Sequence, residues 1–424
     1  MSLRKVFFIL LLFWGMARAL QAQGIGTQPL SLKQCLELAL QQNPLILSSL
    51  EKYKAAQARV SQALAIPQPS LSIDSDLEPR VLDLRGSAES YFGITETVEF
   101  PGKRSLRGKI ASRESLEISS EIDRLRLDLG FQVKQAFYGL LLAQEKLKYA
   151  QQDLELSEDF LKKAEAKQAS GEIAEVEVLR ARVEASKTAN AVRVAQNEKK
   201  LAAAGLNFLL ARKTYEPLDI QGEMKRPFLS LNLDDLKQRA LASRPELVGI
   251  RLAMEKEGLK KSQAYLSYLP DFELGLSRHR VAGESKTWDF TLSVPIPLFF
   301  WQPKTGLVAE AEANRASLSQ EAEHLKNAIA LEVEEAAMSA ISAGDQIKLF
   351  EEQILAQAEE VYNIFLFKFQ KGEIGGIELI DARRSLNEAR KGYADALFNY
   401  QLTIAALEKS IGQPLEGASH EDKK

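Results

Sequence analysis

Two long stretches of this chain contain no proline, and they constrain the fold more than any other feature. No proline occurs from Gly102 to Glu216 or from Lys304 to Gln413. Because a proline inside a helix costs about 3 kcal/mol, both stretches are predicted to be helical. Apolar residues recur within both at three- and four-residue steps, which indicates helices packed as a coiled coil. They are Ile122, Leu125, Leu129, Val133 and Leu140, and then Ile347, Phe350, Ile354, Ala358, Val361 and Phe365.

Each helical stretch is interrupted by glycine at a position suited to a turn between helices. Gly171 lies in the first stretch, and Gly372 with the pair Gly375-Gly376 lies in the second. Glycine supplies the backbone freedom that such a turn requires. Helical hairpins are therefore predicted over about 103–214 and 304–411. The first arm of each would be roughly 100 Å long, so it must pack along similar helices in a bundle or tube.

The two halves of the chain repeat each other at a constant offset of 201 in residue number (372 − 171). Gly171-Glu172-Ile173 recurs as Gly372-Glu373-Ile374, and Ser61-Gln62-Ala63 recurs as Ser262-Gln263-Ala264. Such self-similarity predicts a tandem duplication. The predicted segments are a first repeat at 23–217, a connector at 218–232, a second repeat at 233–415 and a polar tail at 416–424.

The first residues have the pattern of a secretory signal peptide. Arg4 and Lys5 precede the apolar run Val6–Trp14, and small residues follow as far as Ala22. The run is shorter than the ~20 residues that a membrane-spanning helix needs. A cleaved signal peptide over 1–22 is therefore predicted, with a buried helix or a membrane anchor as the alternative.

Before each hairpin, two segments alternate apolar and polar residues, as strands with one wet face do. They lie at about 70–83 and 88–100 in the first half, and at about 271–281 and 286–297 in the second. Lengths near ten residues suit transmembrane strands. Four strands cannot close a barrel, but three chains would supply 12, so a trimer is predicted. The alternative is the edge of a soluble β-sandwich.

Several classes of function find no support in the sequence. The net charge of −3 gives no basic surface for nucleic acid. The single cysteine, Cys35, cannot form an internal disulfide, and His279, His324 and His420 lie far apart in the sequence. We find no phosphate-binding loop, nucleophile elbow or pair of catalytic acids. Neither an enzyme nor a metal or cofactor site is expected, and Cys35 is expected in a helix core.

These features resemble the TolC-like outer-membrane efflux family over essentially the whole mature length. The shared features are the duplication, two strands followed by a long hairpin in each half, and a tip pattern. In that pattern a glycine is followed, after five residues, by a hydrophobic residue and an acid. The segments ETVEFPGKRSLRGKIA (96–111) and VPIPLFF (294–300) resemble the branch associated with heavy-metal efflux.

The resemblance implies a mostly α-helical homotrimer with a shared 12-stranded β-barrel in the outer membrane. Its hairpins would form an α-helical barrel across the periplasm. Such a trimer would be a passive exit duct for small toxic solutes, among which heavy-metal cations are a candidate. It would contact outer-membrane lipid, a periplasmic adaptor and an inner-membrane pump, driven by protons in many members and by ATP in others.

Two acids near the second tip are the candidate gate within that resemblance. Glu378 and Asp381 are three residues apart and share one helix face. Acids at the matching family positions line the narrow periplasmic entrance, where three copies of each would favour cations. The alternative is that these acids only complement the helix dipole. Their first-half counterparts, Glu177 and Arg180, are expected to attract each other.

The turn residues of both tips are candidates for contact with the adaptor, and plain surface turns are the alternative. These residues are Gly171, Glu172, Gly372 and Glu373. Ile173 and Ile374 follow these turns, at positions where family members often carry polar or basic residues. The resemblance therefore does not indicate how the periplasmic entrance closes.

Two other functions are compatible with the sequence. The same tube would serve as the outer-membrane duct of a type I protein secretion system. In another class, long hairpins also suit a secreted coiled-coil scaffold or periplasmic adaptor with no pore. The separated strand pairs argue against the scaffold, since an adaptor would show a compact β-domain.

Overall fold

A computed structural model describes residues 29–75, 89–226, 231–281, 284–296, 298 and 304–415. The predicted signal peptide and polar tail lie outside these residues, as do parts of the first strand, the connector and the corner before the second hairpin. The described part is mostly helical with one four-stranded antiparallel sheet, as predicted.

Both halves of the chain have the element order helix, helix, strand, strand, helical hairpin. The first half comprises α1 (Leu32–Gln42), α2 (Pro44–Ala63), β1 (Ser70–Ser75), β2 (Glu89–Val98), α3 (Lys103–Ala169) and α4 (Glu175–Leu209). The second half comprises α5 (Leu233–Ser243), α6 (Pro245–Leu266), β3 (Phe272–Val281), β4 (Thr287–Ser293), α7 (Lys304–Leu349), α8 (Leu355–Gln370) and α9 (Gly376–Ile411). None of the described helices is both long and apolar enough to cross a membrane.

A π-helical turn at Phe350–Ile354 separates α7 from α8, although the sequence predicts an unbroken arm. The Phe350 ring lies over Gly392 of α9, where an added Cβ would approach it to 2.9 Å. Next to it, the Tyr393 hydroxyl donates a hydrogen bond of 2.8 Å to Glu351. A π turn adds a residue to the helical ladder and shifts the apolar seam. Val361, predicted in that seam, is accordingly exposed.

The starts of α2 and α6 are built differently although they occupy matching positions of the sequence repeat. Asn43 caps α2, because its side chain accepts a hydrogen bond from the backbone of Leu45 at 3.0 Å. Arg244 makes no such cap at α6. It is buried, donates to the carbonyl oxygen of Ser410 at 3.1 Å, and pairs with Glu332 at 3.0 Å. The arginine therefore stabilises the C-terminal end of α9, where carbonyl groups lack helical partners.

The sheet has the strand order β1-β2-β3-β4, and every neighbouring pair is antiparallel. One face carries rows of apolar side chains that run across the strands. The central row comprises Leu71, Ile94, Leu276 and Phe290. All four are exposed in the single chain. The opposite face carries Ser72, Gly93, Ser277 and Asp289 in its neighbouring row.

The chain divides into two compact units. The tip unit comprises the described residues up to Gln42 with Gln132–Arg226 and Ala343–Leu402. The sheet unit comprises Asn43–Phe131, Pro227–Ser342 and the chain from Thr403 onward. Each has its own buried apolar residues, among them Val133, Phe137, Leu140 and Ile347 in the tip unit and Ile122, Leu129, Ile329 and Val333 in the sheet unit.

Cys35 lies in the core of the tip unit, as expected from its helix. Its side chain is fully buried in α1. Burial raises the pKa of its thiol to about 11, although the nearby charge of Arg212 acts in the opposite direction. The thiol is therefore protonated and unreactive at neutral pH.

Candidate functional site at the hairpin tips

The two tips are closed by the same backbone turn. Gly171 and Gly372 have φ angles of +80° and +74°. The next residue in each case, Glu172 or Glu373, donates its N–H to a carbonyl five residues earlier at 2.9 Å. This bond defines a Schellman turn, which favours glycine because only glycine adopts a positive φ at little cost. An added Cβ at either glycine would meet nothing within 4 Å, so the requirement is one of conformation.

The isoleucine after the first tip glycine has a packing role. Ile173 packs against a small buried cluster of Ala164, Val178 and Ala181. Ala164 belongs to α3 and the other two to α4. Ile173 therefore packs the turn against its own hairpin. Ile374, at the matching position of the second tip, is half-buried.

The acids of the candidate gate lie on the surface at the start of α9. Glu378 and Asp381 are both exposed. The Glu378 carboxylate folds back over Gly375, with one oxygen 2.9 Å from the position of an added Cβ there. Asp381 lies 3.6 Å from Arg384 on the following helical turn. Glu378, in the first turn, therefore complements the helix N-terminus, and both acids present negative charge to solvent.

The matching surface of the first hairpin is neutralised. Arg180 lies 3.2 Å from Glu177, so the expected attraction between these counterparts is present. The two hairpins therefore differ in charge at the same distance from their tips. The second presents two acids, of which Asp381 pairs with Arg384, and the first presents one acid paired with Arg180.

Gly376 allows a close approach between the two hairpins. A Cβ on Gly376 would lie 2.5 Å from the ring of Phe160 in α3. The Phe160 ring is 5.5 Å from that of Phe369 in α8. The sequence interpretation assigned Gly375-Gly376 to turn flexibility, but neither has a positive φ. Gly376 is instead needed for space, since a side chain there would collide with Phe160.

A buried group of charges lies two residues beyond Asp381. The Arg383 side chain is 8 % exposed. Its Nε is 3.1 Å from Asp153 Oδ1, and its Nη2 is 3.5 Å from Glu184 Oε1. Neither contact is aligned as a hydrogen bond, so the attraction is mainly ionic. Asn387 completes the group by donating to the other oxygen of Asp153 at 3.0 Å.

Glu184 is the shared partner of two arginines within this group. Arg384 donates to Glu184 through its Nε at 3.1 Å and also through Nη2. Burial opposes ionisation of the carboxyl, but the hydrogen bond to Arg384 and the charges of Arg384, Arg383 and Lys187 outweigh it. The pKa of Glu184 is therefore held below its usual range. The charges join α4 of the first hairpin to α9 of the second.

A groove of about 270 Å³ lies beside the buried charges, between α3 of the first hairpin and α8 and α9 of the second. Its walls include Tyr149, Asp153, Glu359, Tyr362, Arg383 and Arg390. Within the described ranges, no group of three or more His, Cys, Asp or Glu side chains is arranged to hold a metal ion.

Sequence reasoning identified the exposed acids and missed the buried group behind them. Arg383 is matched by Arg182 in the sequence repeat, so the repeat alone does not distinguish the two arginines. Arg182 is indeed 61 % exposed and pairs only with Glu165 at 3.1 Å. No periodic signal separates the two arginines, because burial depends on which helices meet at each position.

The fold combines a four-stranded sheet with long helical hairpins. Solved structures of channel proteins have the same fold. The chain matches the crystal structure of CusC with a TM-score of 0.74 and 19 % identity, over 90 % of this chain and 92 % of that one. It matches the open state of the MtrE outer membrane channel of Neisseria gonorrhoeae with a TM-score of 0.74 and 16 % identity. That match covers 90 % of this chain and 89 % of that one.

The chain belongs to the outer membrane efflux protein family, whose model matches residues 35–212 and again residues 236–413. The starts of the two matched segments are separated by the same offset as the sequence repeat. A curated relative is the cobalt-zinc-cadmium resistance protein CzcC of Cupriavidus metallidurans. It is 23 % identical over 398 residues, which are 91 % of this chain and 90 % of that protein. The chain is accordingly an outer-membrane efflux protein and not an enzyme.

Proposed function

We propose that this protein is the outer-membrane duct of a tripartite efflux system and passively conducts heavy-metal cations. In this arrangement it works as a homotrimer, with a periplasmic adaptor and a proton-driven pump of the inner membrane. The observation that carries the proposal is the exposed acid pair, Glu378 and Asp381, at the tip of the second hairpin. The name of the relative CzcC, a cobalt-zinc-cadmium resistance protein, supports metal cations as cargo.

The sheet supports insertion into a membrane together with other copies of the chain. Its exposed apolar face would cost free energy in water, since each Å² of apolar surface carries about 25 cal/mol. From Phe272 to Arg278 the strand rises roughly 20 Å, close to the ~25 Å apolar band of membrane strands. β1 and β4 leave open edges, which neighbouring copies would pair in a shared 12-stranded barrel.

The helices support association of hairpins from several copies into a tube. One face of α4 bears exposed apolar side chains mostly seven or four residues apart, the spacing of a coiled-coil seam. They are Val176, Leu179, Val183, Val194, Leu201 and Phe208. Such a stripe on one chain needs a second helix to cover it, and a neighbouring copy would provide one. The tandem duplication would then supply two hairpins per copy.

Conductance across a planar lipid bilayer tests the acid pair. We expect the double variant E378Q/D381N to lose most of the cation selectivity of the pore, because the negative charges at the entrance are removed. E177Q is the matched control, since it changes the equivalent acid of the first hairpin. Unchanged selectivity in E378Q/D381N, or an equal loss in E177Q, would refute the gate assignment.

Growth of a deletion strain in cobalt, zinc or cadmium salts tests the cargo. We expect loss of resistance on deletion, rescue by the wild type and weaker rescue by E378Q/D381N. Normal metal resistance combined with loss of a secreted protein would instead favour the type I secretion duct.

The tip turns are the proposed contact with the adaptor, because Glu172 and Glu373 are exposed beside their glycines. Photocrosslinking from position 172 or 373 in intact cells should capture an adaptor of a pump operon. A crosslinker at the exposed Lys200 of α4, away from the tip, is the control, and equal capture from all three positions would contradict the assignment.

A further inference from the structure

Charged side chains are separated between the two faces of the sheet at its outer end. The outer end is defined here as the end where β1 connects to β2 and β3 connects to β4, away from the strand-to-helix connections. The strand register places Asp74, Glu89 and Asp289 on one face. Arg278 and Arg280 lie on the other face, together with the exposed apolar rows. On the apolar face, the acid Glu96 lies toward the opposite end.

On the polar face, Glu89 has a partner of its own. It approaches the His279 ring, with Nε2 and Oε1 2.6 Å apart. Glu89 is therefore engaged on its own face, opposite to the face of Arg278. Arg278 has no carboxylate within ion-pair distance among the residues that the structure describes, so its charge is left for a partner outside the chain.

Arg278 is held against an aromatic ring at the border of the apolar face. Its guanidinium carbon is 5.7 Å from the ring centroid of Trp288, which is its cross-strand partner. Phe92 is the partner on the other side, and Trp288 and Phe92 are both exposed. Stacking on an indole leaves the N–H edge of the guanidinium available. Tryptophan is also enriched at the level of lipid headgroups.

We propose that Arg278 binds the headgroup phosphate of an anionic lipid in the outer leaflet. The inference rests on the proposed function, which places the apolar face of the sheet against lipid. A planar guanidinium donates two parallel hydrogen bonds to a phosphate, and an ammonium cannot do so. Lys286, exposed in the turn before β4, adds positive charge nearby.

Lipid retention by the purified full-length protein tests this site. The protein is reconstituted into bilayer discs of phosphatidylcholine containing either phosphorylated lipid A or its dephosphorylated form, and retained lipids are counted by native mass spectrometry. We expect about tenfold preference for the phosphorylated form, which is about 1.4 kcal/mol. R278Q should lose most of this preference, and R278K should keep part of it. High salt should weaken it.

R193Q is the matched control, because Arg193 is an exposed arginine on α4 and should not affect retention. Equal retention of both lipid forms by the wild type would overturn the proposal and leave Arg278 as a simple interfacial anchor. Equal preference in R278Q and wild type would overturn it as well. Protein that inserts and conducts without lipid preference contradicts only this inference. Protein that never inserts contradicts the proposed duct itself.

Discussion

The two hairpin tips have nearly the same turn and different surroundings. Both end in a Schellman turn on glycine, at matching positions of the repeat. Around the first turn, Arg182 lies at the surface. Around the second, Arg383 at the matching position is buried between two acids. The difference teaches that a repeated sequence preserves local backbone geometry, whereas the partner helices decide which charges are buried.

Replacing the buried Arg383 should have the largest effect on stability and should show the clearest difference between the two tips. In R383M, Asp153 and Glu184 would lose the charge between them, and breaking such a pair costs about 3–5 kcal/mol. Hydrogen exchange, followed by mass spectrometry, should show faster exchange of the tip helices. The matched change R182M removes an exposed pair and should cost about 1 kcal/mol or less. Equal effects in the two variants would show that burial does not distinguish the tips.

Filling the space at Gly376 should have the next largest effect. The new Cβ of G376A would collide with the ring of Phe160, and overpacking of this kind costs about 1–3 kcal/mol. Because Phe160 and Gly376 join the two hairpins, we expect altered single-channel conductance as well as a lower thermal midpoint. The double variant F160A/G376A relieves the collision and should recover part of the conductance. A fully normal G376A channel would contradict the close approach.

Substitutions at the C-terminal ends of α4 and α9 should change stability less, and in opposite directions. Gly412 has a φ of +81°, and the matching Ala211 also has a positive φ, of 57°. A left-handed residue other than glycine costs about 1–2 kcal/mol. G412A should therefore destabilise the chain, and more so because its Cβ would lie 3.2 Å from Ser243 Oγ. A211G should stabilise it by less than about 1 kcal/mol, because glycine loses more backbone entropy. Urea denaturation of both variants checks the opposite signs.

The smallest expected effect is a dependence on pH. The lowered folded-state pKa of Glu184 means that its ionised form stabilises the tip unit above the unfolded-state value of about 4.3. This stabilisation is lost as the pH falls through the folded-state pKa. The hydrogen-exchange protection factors of α4 and α9 should therefore fall in the wild type as the pH drops below about 4.3. In E184Q this fall should be smaller, and an identical fall would rule out Glu184 as its source.

Much of the fold could be predicted because its signals are local. The proline-free stretches indicated the long helices. Strict alternation of apolar and polar residues indicated β2, β3 and β4. The positive φ at Gly171 and Gly372 followed from their place between helical runs. The π turn at Phe350–Ile354 could not be predicted, because it depends on Gly392 and Tyr393 of another helix.

The candidate site was predictable only in its exposed part. Glu378 and Asp381 could be found because their spacing on one helix face is a property of the sequence itself. Asp153 and Glu184 belong to the first hairpin and Arg383 to the second, so no local pattern relates them. Gly376 was given a turn role because a glycine needed for space and one needed for φ look the same in a sequence.

The sequence by itself determined the helical hairpins, the turns that close them, the two-faced strands and the repeat that relates the two halves. These follow from backbone preferences and periodicity, which act over a few neighbouring residues. The tertiary structure alone decided which of two matching arginines is buried, where a helix takes up an extra residue, and why Gly376 has no side chain. Those outcomes depend on contacts between helices distant in sequence, where burial and charge are set by the partner.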